Sequence, residues 1–156
     1  MTAAKRFIVA AALSALAAPA YAQSSDSMTV NGVVPAICTI ATTGDAVVNL
    51  ASGSQAVGGV TIQCNDPQGF TTTVGSANGS ALVNTEAPGS FYAYTMNSSP
   101  WGGVRFGVPV NSSEIGGASA YVTPQFISLD ISVGAVTGPA FAGSYTDLVT
   151  FTISAN

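Results

Sequence analysis

The sequence predicts an all-β fold, a β-sandwich of seven to nine short antiparallel strands, and three observations carry that expectation. Apolar residues recur with period two in one stretch after another. Clusters of Gly, Pro, Asn, Asp and Ser separate those stretches at regular intervals. No stretch of useful length carries the 3.6-residue period of a helix, and there is no internal repeat.

Residues 1–22 have a basic start (Lys5, Arg6), an apolar run over 7–20 and Ala20-Tyr21-Ala22 before Gln23, which predicts a cleaved signal peptide and an exported chain. The apolar run is shorter than the roughly 20 residues of a spanning helix, so no membrane insertion is expected after cleavage. Residues 28–40 then alternate without a break: Met28, Val30, Gly32, Val34, Ala36, Cys38 and Ile40 share one face. A strand with one buried face is expected, fixed at its far end by Cys38 and free at its near end. Thr42 to Asp45 is turn chemistry, 47–50 a short apolar run, and 51–59 a Gly/Ser-rich connection.

Val60, Ile62 and Cys64 alternate with Thr61 and Gln63, and Asn65-Asp66-Pro67-Gln68-Gly69 reads as a turn. Phe70, Thr72 and Val74 predict a β-branched strand ending at Gly75. A loop follows over 76–90, with a short strand at 81–83. Residues 91–96 form an aromatic strand that Asn97-Ser98-Ser99-Pro100 should break, and Val104, Phe106, Val108 and Val110 predict another within 101–110. After a loop at 111–119, residues 121–136 read as strand with a break near Pro124. Their best run is Ile127, Leu129, Ile131 and Val133. The last strand is expected over 145–153, with Val149, Phe151 and Ile153 on one face.

Cys38 and Cys64 are the only cysteines, 26 positions apart. In an exported chain they pair most simply with each other, closing a loop for which chain entropy gives about 3 to 4 kcal/mol. Free or metal-bound thiols are the alternative, and no other soft ligand stands in the chain to support it.

Composition narrows the chemistry. Without the signal segment, Arg105 is the one basic side chain against seven carboxylates, and there is no histidine and no lysine. Nothing offers an electrostatic footprint for nucleic acid. Ser/His/Asp, Cys/His and Ser/Lys nucleophile systems lack their bases, and no Gly-rich phosphate loop opens a helix. Asp26, Asp45, Asp66, Glu86, Glu114, Asp130 and Asp147 lie singly near turns or strand ends and read as solvated surface, without the density of a calcium site or a glycosidase pair. No catalytic residue, metal site or cofactor is expected. The Asn-x-Ser patterns at Asn78, Asn97 and Asn111 are those a chain rich in Asn and Ser produces by chance.

Four pieces of the sequence resemble the spore coat protein U-like family, whose members include subunits of archaic chaperone–usher pili of the Csu type. They are the alternating segment that runs into Cys38, the Gly-Gly-Val-Thr-Ile-Gln-Cys of 58–64, the Tyr-x-Tyr of Tyr92 and Tyr94, and the closing run over 142–153. The last contains Gly143, Tyr145 and Asp147, which match the Gly-x-Tyr-x-Asp that opens the family's final strand. The resemblance implies an incomplete immunoglobulin-like β-sandwich of pilin type with one disulfide, occupying 35–156 behind a donor-strand extension at 23–34. It implies strand addition, with Met28, Val30, Gly32 and Val34 as donor residues, Gly32 permitting close backbone approach, and Val149, Phe151 and Ile153 lining the acceptor groove. The implied partners are a periplasmic chaperone, an outer-membrane usher and other pilus subunits. The implied route is through the periplasm to a surface fibre serving adhesion or biofilm formation.

Two readings compete. One is a monomeric secreted module that binds carbohydrate or a surface through Trp101, Tyr92 and Tyr94. The other is a coat protein of the same family. A small outer-membrane barrel is disfavoured by the cysteine pair and by Asn156 where an aromatic would be expected.

Overall fold

The computed structural model describes residues 24–51 and 53–156, and the expected signal peptide lies outside them. The chain forms two units, one ending at Val33 and one covering Val34–Asn156. In the first, residues 24–33 carry no regular secondary structure, and Met28, Val30 and Val33 are exposed. The second holds ten strands: β1 (Cys38–Thr42), β2 (Ser54–Cys64), β3 (Phe70–Ser76), β4 (Ala81–Asn84), β5 (Phe91–Ser99), β6 (Gly102–Gly103), β7 (Val110–Asn111), β8 (Gln125–Thr137), β9 (Tyr145–Thr146) and β10 (Val149–Ala155). Among the described residues the only helical elements are short 3-10 turns at Ser112–Glu114 and Ala118–Tyr121, and no helix is long and apolar enough to cross a membrane.

The strands make two antiparallel sheets. A seven-stranded sheet runs β1-β2-β8-β5-β4-β9, with β6 attached to β5, and a three-stranded sheet runs β10-β3-β7. Period-two faces from both meet in a core of Val60 and Ile62 on β2, Phe70 on β3, Tyr94 and Met96 on β5, and Ile127, Leu129 and Ile131 on β8, each at most 6% exposed. Cys38 and Cys64 stand directly opposite each other on β1 and β2. The neighbouring pair is hydrogen-bonded, Asn65 N donating to Ile37 O at 3.1 Å, so the cysteines occupy a non-hydrogen-bonded position where side chains come closest. They form the expected disulfide.

Several expectations are corrected. The alternating stretch 28–40 is strand only from Cys38: residues 28–36 find no ladder partner among the described residues, and Ile37 is bonded to Asn65 just ahead of the strand. The Gly/Ser-rich connection is shorter than expected: β2 begins at Ser54 and passes through a bulge between Ala56 and Gly59. That bulge shifts the side-chain phase, so Val57 within it and Val60 after it both pack on the core. Strand β5 does not break at Asn97. It continues to Ser99 because Asn97 and Ser98 pair with Asp130 and Leu129 of β8. Residues 101–110 are not one strand but two short ladders with an irregular segment between them. Gly102 and Gly107 there take left-handed φ of 84° and 73°, while Val104 and Phe106 still pack on the core. The closing run also splits: β9 pairs with β4 in the large sheet and β10 with β3 in the small one, so Asp147 and Leu148 carry the chain between sheets.

The bulge generates a test. Gly59 donates its N–H to Thr43 Oγ1 at 3.1 Å and accepts from Thr43 N at 3.0 Å, and a Cβ there would collide with the Ile127 carbonyl oxygen and the Phe126 ring. Gly59→Ala should therefore cost about 2 kcal/mol through overpacking against backbone, read as a lower denaturation midpoint. An unchanged midpoint would show that β2 and β8 yield at the bulge.

Candidate functional site

Strand β10 is paired on one side only. Its register with β3 sets Val149 opposite Ser76 and Ala155 opposite Phe70, and the ladder closes with Ala77 N donating to Leu148 O and Asn156 N donating to Gly69 O, at 3.0 and 3.1 Å. In an antiparallel pair, hydrogen-bonded positions alternate. Even-numbered residues of β10 therefore spend their N–H and C=O on β3, and those of Val149, Phe151, Ile153 and Ala155 point to the other edge. No strand pairs with that edge among the described residues.

All of these odd-numbered residues but the exposed Ala155 turn their side chains inward. Val149, Phe151 and Ile153 are half-buried against the core while Thr150, Thr152 and Ser154 are exposed. On the first strand, Thr43 N donates to Gly59 O and Asn65 N to Ile37 O, which leaves the backbone groups of Cys38, Ile40 and Thr42 directed away from β2. Cys38 and Ile40 also turn half-buried side chains toward the core. Some Cα atoms of β1 and β10 approach within 8 Å, yet no ladder joins them.

Two cavities lie behind this seam. One of about 160 Å³ is lined by Ile40, Val60, Ile62, Val74, Leu129 and Phe151, with Trp101, Arg105 and Glu114 also on its wall. The other, about 190 Å³, is lined by Val48, Val57, Tyr94, Met96, Leu129 and Val149 among others. Leu129 borders both. The predicted groove residues Phe151 and Val149 thus each line one of two partly open cavities, the first walled also by Arg105 and Glu114 and the second by Asp45 and Asp147; Ile153 lines neither cavity.

Gly143, Tyr145 and Asp147 hold the approach to this strand. Gly143 has φ 140°, and a Cβ on it would press on Asn84 Nδ2 at 3.0 Å. Asn84 is fully buried; its Oδ1 accepts from Glu86 N and Ala87 N, both at 2.9 Å. The Tyr145 hydroxyl donates to Phe141 O at 2.7 Å and shares a 2.8 Å hydrogen bond with Ser90 Oγ. Asp147, expected as free surface, is instead tied into the turn between β3 and β4. Its Oδ2 accepts from Tyr94 and Ser76 hydroxyls, at 2.6 and 2.5 Å, and its Oδ1 accepts from Asn78 N at 2.9 Å. Burial, and after it the hydrogen bond to Asp147, pushes the Tyr94 phenol well above the ordinary tyrosine value. Asn84, Ser76 and Ser90 carried no signal in the sequence, because their partners lie at distant positions.

The predicted donor residues Met28, Val30 and Val34 are 86%, 81% and 83% exposed, and a Cβ at Gly32 would meet nothing within 4 Å. The aromatic residues of the binding-module reading are part of the core instead. Tyr94 is buried, Tyr92 packs edge-on against Tyr145 with centroids 5.1 Å apart, and Trp101 is half-buried against Tyr121. Among the described residues no three His, Cys, Asp or Glu side chains are grouped to hold a metal.

A scan against protein-family models gives no match, and a search of curated proteins gives none either. Solved structures do match. The CooA pilin subunit from enterotoxigenic Escherichia coli is similar at a TM-score of 0.50 and 17% identity, over 75% of this chain and 86% of that one. A chaperone–tip adhesion subunit pre-assembly complex, CsuC-CsuE, from the archaic chaperone–usher Csu pili of Acinetobacter baumannii is similar at a TM-score of 0.45 and 18% identity. The match takes in 77% of this chain and 40% of the matched one. The fold is thus the pilin-type β-sandwich that the resemblance implied, with its one disulfide.

The Tyr94–Asp147 bond generates a pH prediction. Above pH 10, the ordinary tyrosine value, the unfolded chain releases the phenolic proton while the folded chain keeps it, so stability declines as pH rises. Denaturant midpoints measured between pH 8 and 11, on the order of the ordinary tyrosine titration range, should fall less steeply for Tyr94→Phe. Equal slopes in the two proteins would remove Tyr94 from the account.

Proposed function

We propose that the chain is a structural subunit of a chaperone–usher surface fibre of the spore coat protein U-like type, polymerising by strand donation. The observation that carries this reading is the edge of β10, where alternate residues present free backbone groups outward and half-buried apolar side chains to two unfilled cavities. An open edge over unfilled core is an aggregation hazard in a protein that works alone. A strand added there satisfies the backbone through main-chain bonds and the cavities through alternate side chains. Residues 28–34 supply the needed pattern, apolar or small at every second position and without a charge.

In this reading Met28, Val30, Gly32 and Val34 of one copy enter the groove formed by Val149, Phe151 and Ile153 of the next. The relation is head-to-tail and does not close, so it builds a filament. Before assembly a periplasmic chaperone covers the edge with a strand of its own, and an outer-membrane usher exchanges it for the donated one. The signal peptide of residues 1–22 directs export, the fibre stands on the cell surface, and it serves adhesion or biofilm formation without catalytic chemistry.

The test replaces Val30 and Val34 with Asp. Each carboxylate would have to enter apolar volume unpaired, at a cost of several kcal/mol, so the variant should fold with its disulfide and remain monomeric or chaperone-bound. Gel filtration and non-boiled electrophoresis read the outcome, and heat-labile polymers like those of the wild type would refute donation by residues 28–34.

A further inference from the structure

The segment between the predicted donor residues and β1 is held by one side chain. Asn65, on the turn after β2, donates from Nδ2 to the carbonyl oxygen of Pro35 at 3.1 Å, and its Oδ1 accepts from Ile37 N at 2.6 Å. Its own backbone N donates to Ile37 O at 3.1 Å. The two side-chain bonds fix the amide orientation, since one partner can only accept and the other only donate. The grip sits beside the disulfide, Asn65 following Cys64 and Ile37 preceding Cys38. Pro35 adds a fixed φ and confines Val34 to extended backbone. Residues 35–37 therefore lie in no strand and are nonetheless fastened at both ends.

We infer that Asn65 is a positioning residue that fixes how the donated segment leaves one copy for the next, and so sets the stiffness of the fibre; this rests on the strand-donation reading above. Lengths argue for it. Residues 28–34 match the seven residues of β10, which leaves only 35–37 between one copy's groove and the next copy's β1. Three residues reach at most about 10 Å. With the linker free to rotate, so short a joint would still swivel. With Pro35 and Ile37 bonded to Asn65, the two bodies keep one angle.

The experiment compares polymers of the wild-type chain, Asn65→Ala, Asn65→Asp and a chain with two glycines inserted between Val34 and Pro35, measuring persistence length from electron micrographs. Asn65→Ala loses both side-chain bonds and should lower the persistence length several-fold. Asn65→Asp keeps an acceptor for Ile37 N and loses the donor to Pro35 O, so it should fall between. The insertion leaves the Asn65 bonds in place and frees the joint by length alone, so it gives the stiffness of an unfixed joint; if Asn65→Ala fails to fold, Asn65→Asp, which keeps the bond to Ile37 N, decides the matter. Amide exchange at Ile37 should speed up in Asn65→Ala and stay slow in the insertion chain. Polymers of unchanged stiffness in the substituted chains would overturn the inference while leaving strand donation standing, whether or not the insertion softens the fibre. Failure of the wild-type chain to polymerise would overturn both.

Discussion

Backbone hydrogen bonding on one side only is the constraint around which this sandwich is arranged. A sheet-edge strand normally avoids partners by being short, charged or covered, and β10 is none of these: it runs seven residues, Val149–Ala155, without a charged side chain. Its inward residues are at the same time those whose N–H and C=O face the open side, so the unsatisfied backbone and the unfilled core are two aspects of one gap. Leu129 stands between the two cavities that Phe151 and Val149 line.

The polar contacts around that strand serve to hold the gap in a defined shape. The chain must leave the large sheet after β9 and enter the small one at β10, and Asp147 sits at that crossing with Tyr94, Ser76 and Asn78 bonded to it. Gly143 and Tyr145 anchor the run leading up to it through Asn84, Phe141 and Ser90. The disulfide does similar work on the other side by fastening the start of β1 to the end of β2. Both strands at the seam are thus pinned from behind, β10 through the Asp147 hydrogen bonds and β1 through the disulfide.

Much of this was legible in the sequence where period two and a buried face coincide. The cores of β2, β3, β5 and β8 follow directly from Val60 and Ile62, Phe70 and Thr72, Tyr94 and Met96, and Ile127 to Ile131. Errors arose where the backbone's pairing overrode side-chain pattern. Val104 to Val110 alternates well but is interrupted by Gly107 in a left-handed turn. Asn97 and Ser98 look like a break and are held in strand by β8. Residues 28–37 alternate better than any other stretch, yet alternation makes a strand only when another strand is beside it. The predicted groove residues Val149, Phe151 and Ile153 were visible as a face, whereas the openness of their edge depends on topology that no local pattern records. Asn65 reads as a turn residue and Asn84 as part of a loop; their bonds to Pro35, Ile37, Glu86 and Ala87 appear only once the chain is folded.

Amide hydrogen exchange at Val149, Phe151 and Ile153, measured in the monomeric chain and in its polymers, tests the central claim most directly. These N–H groups face the open edge, so they should exchange fast in the monomer, while those of Thr150 and Thr152, bonded to β3, exchange slowly. In the polymer all five should be protected. Fast exchange at the odd-numbered positions in both states would mean that nothing adds to this edge, and slow exchange in the monomer would mean that the edge is already closed.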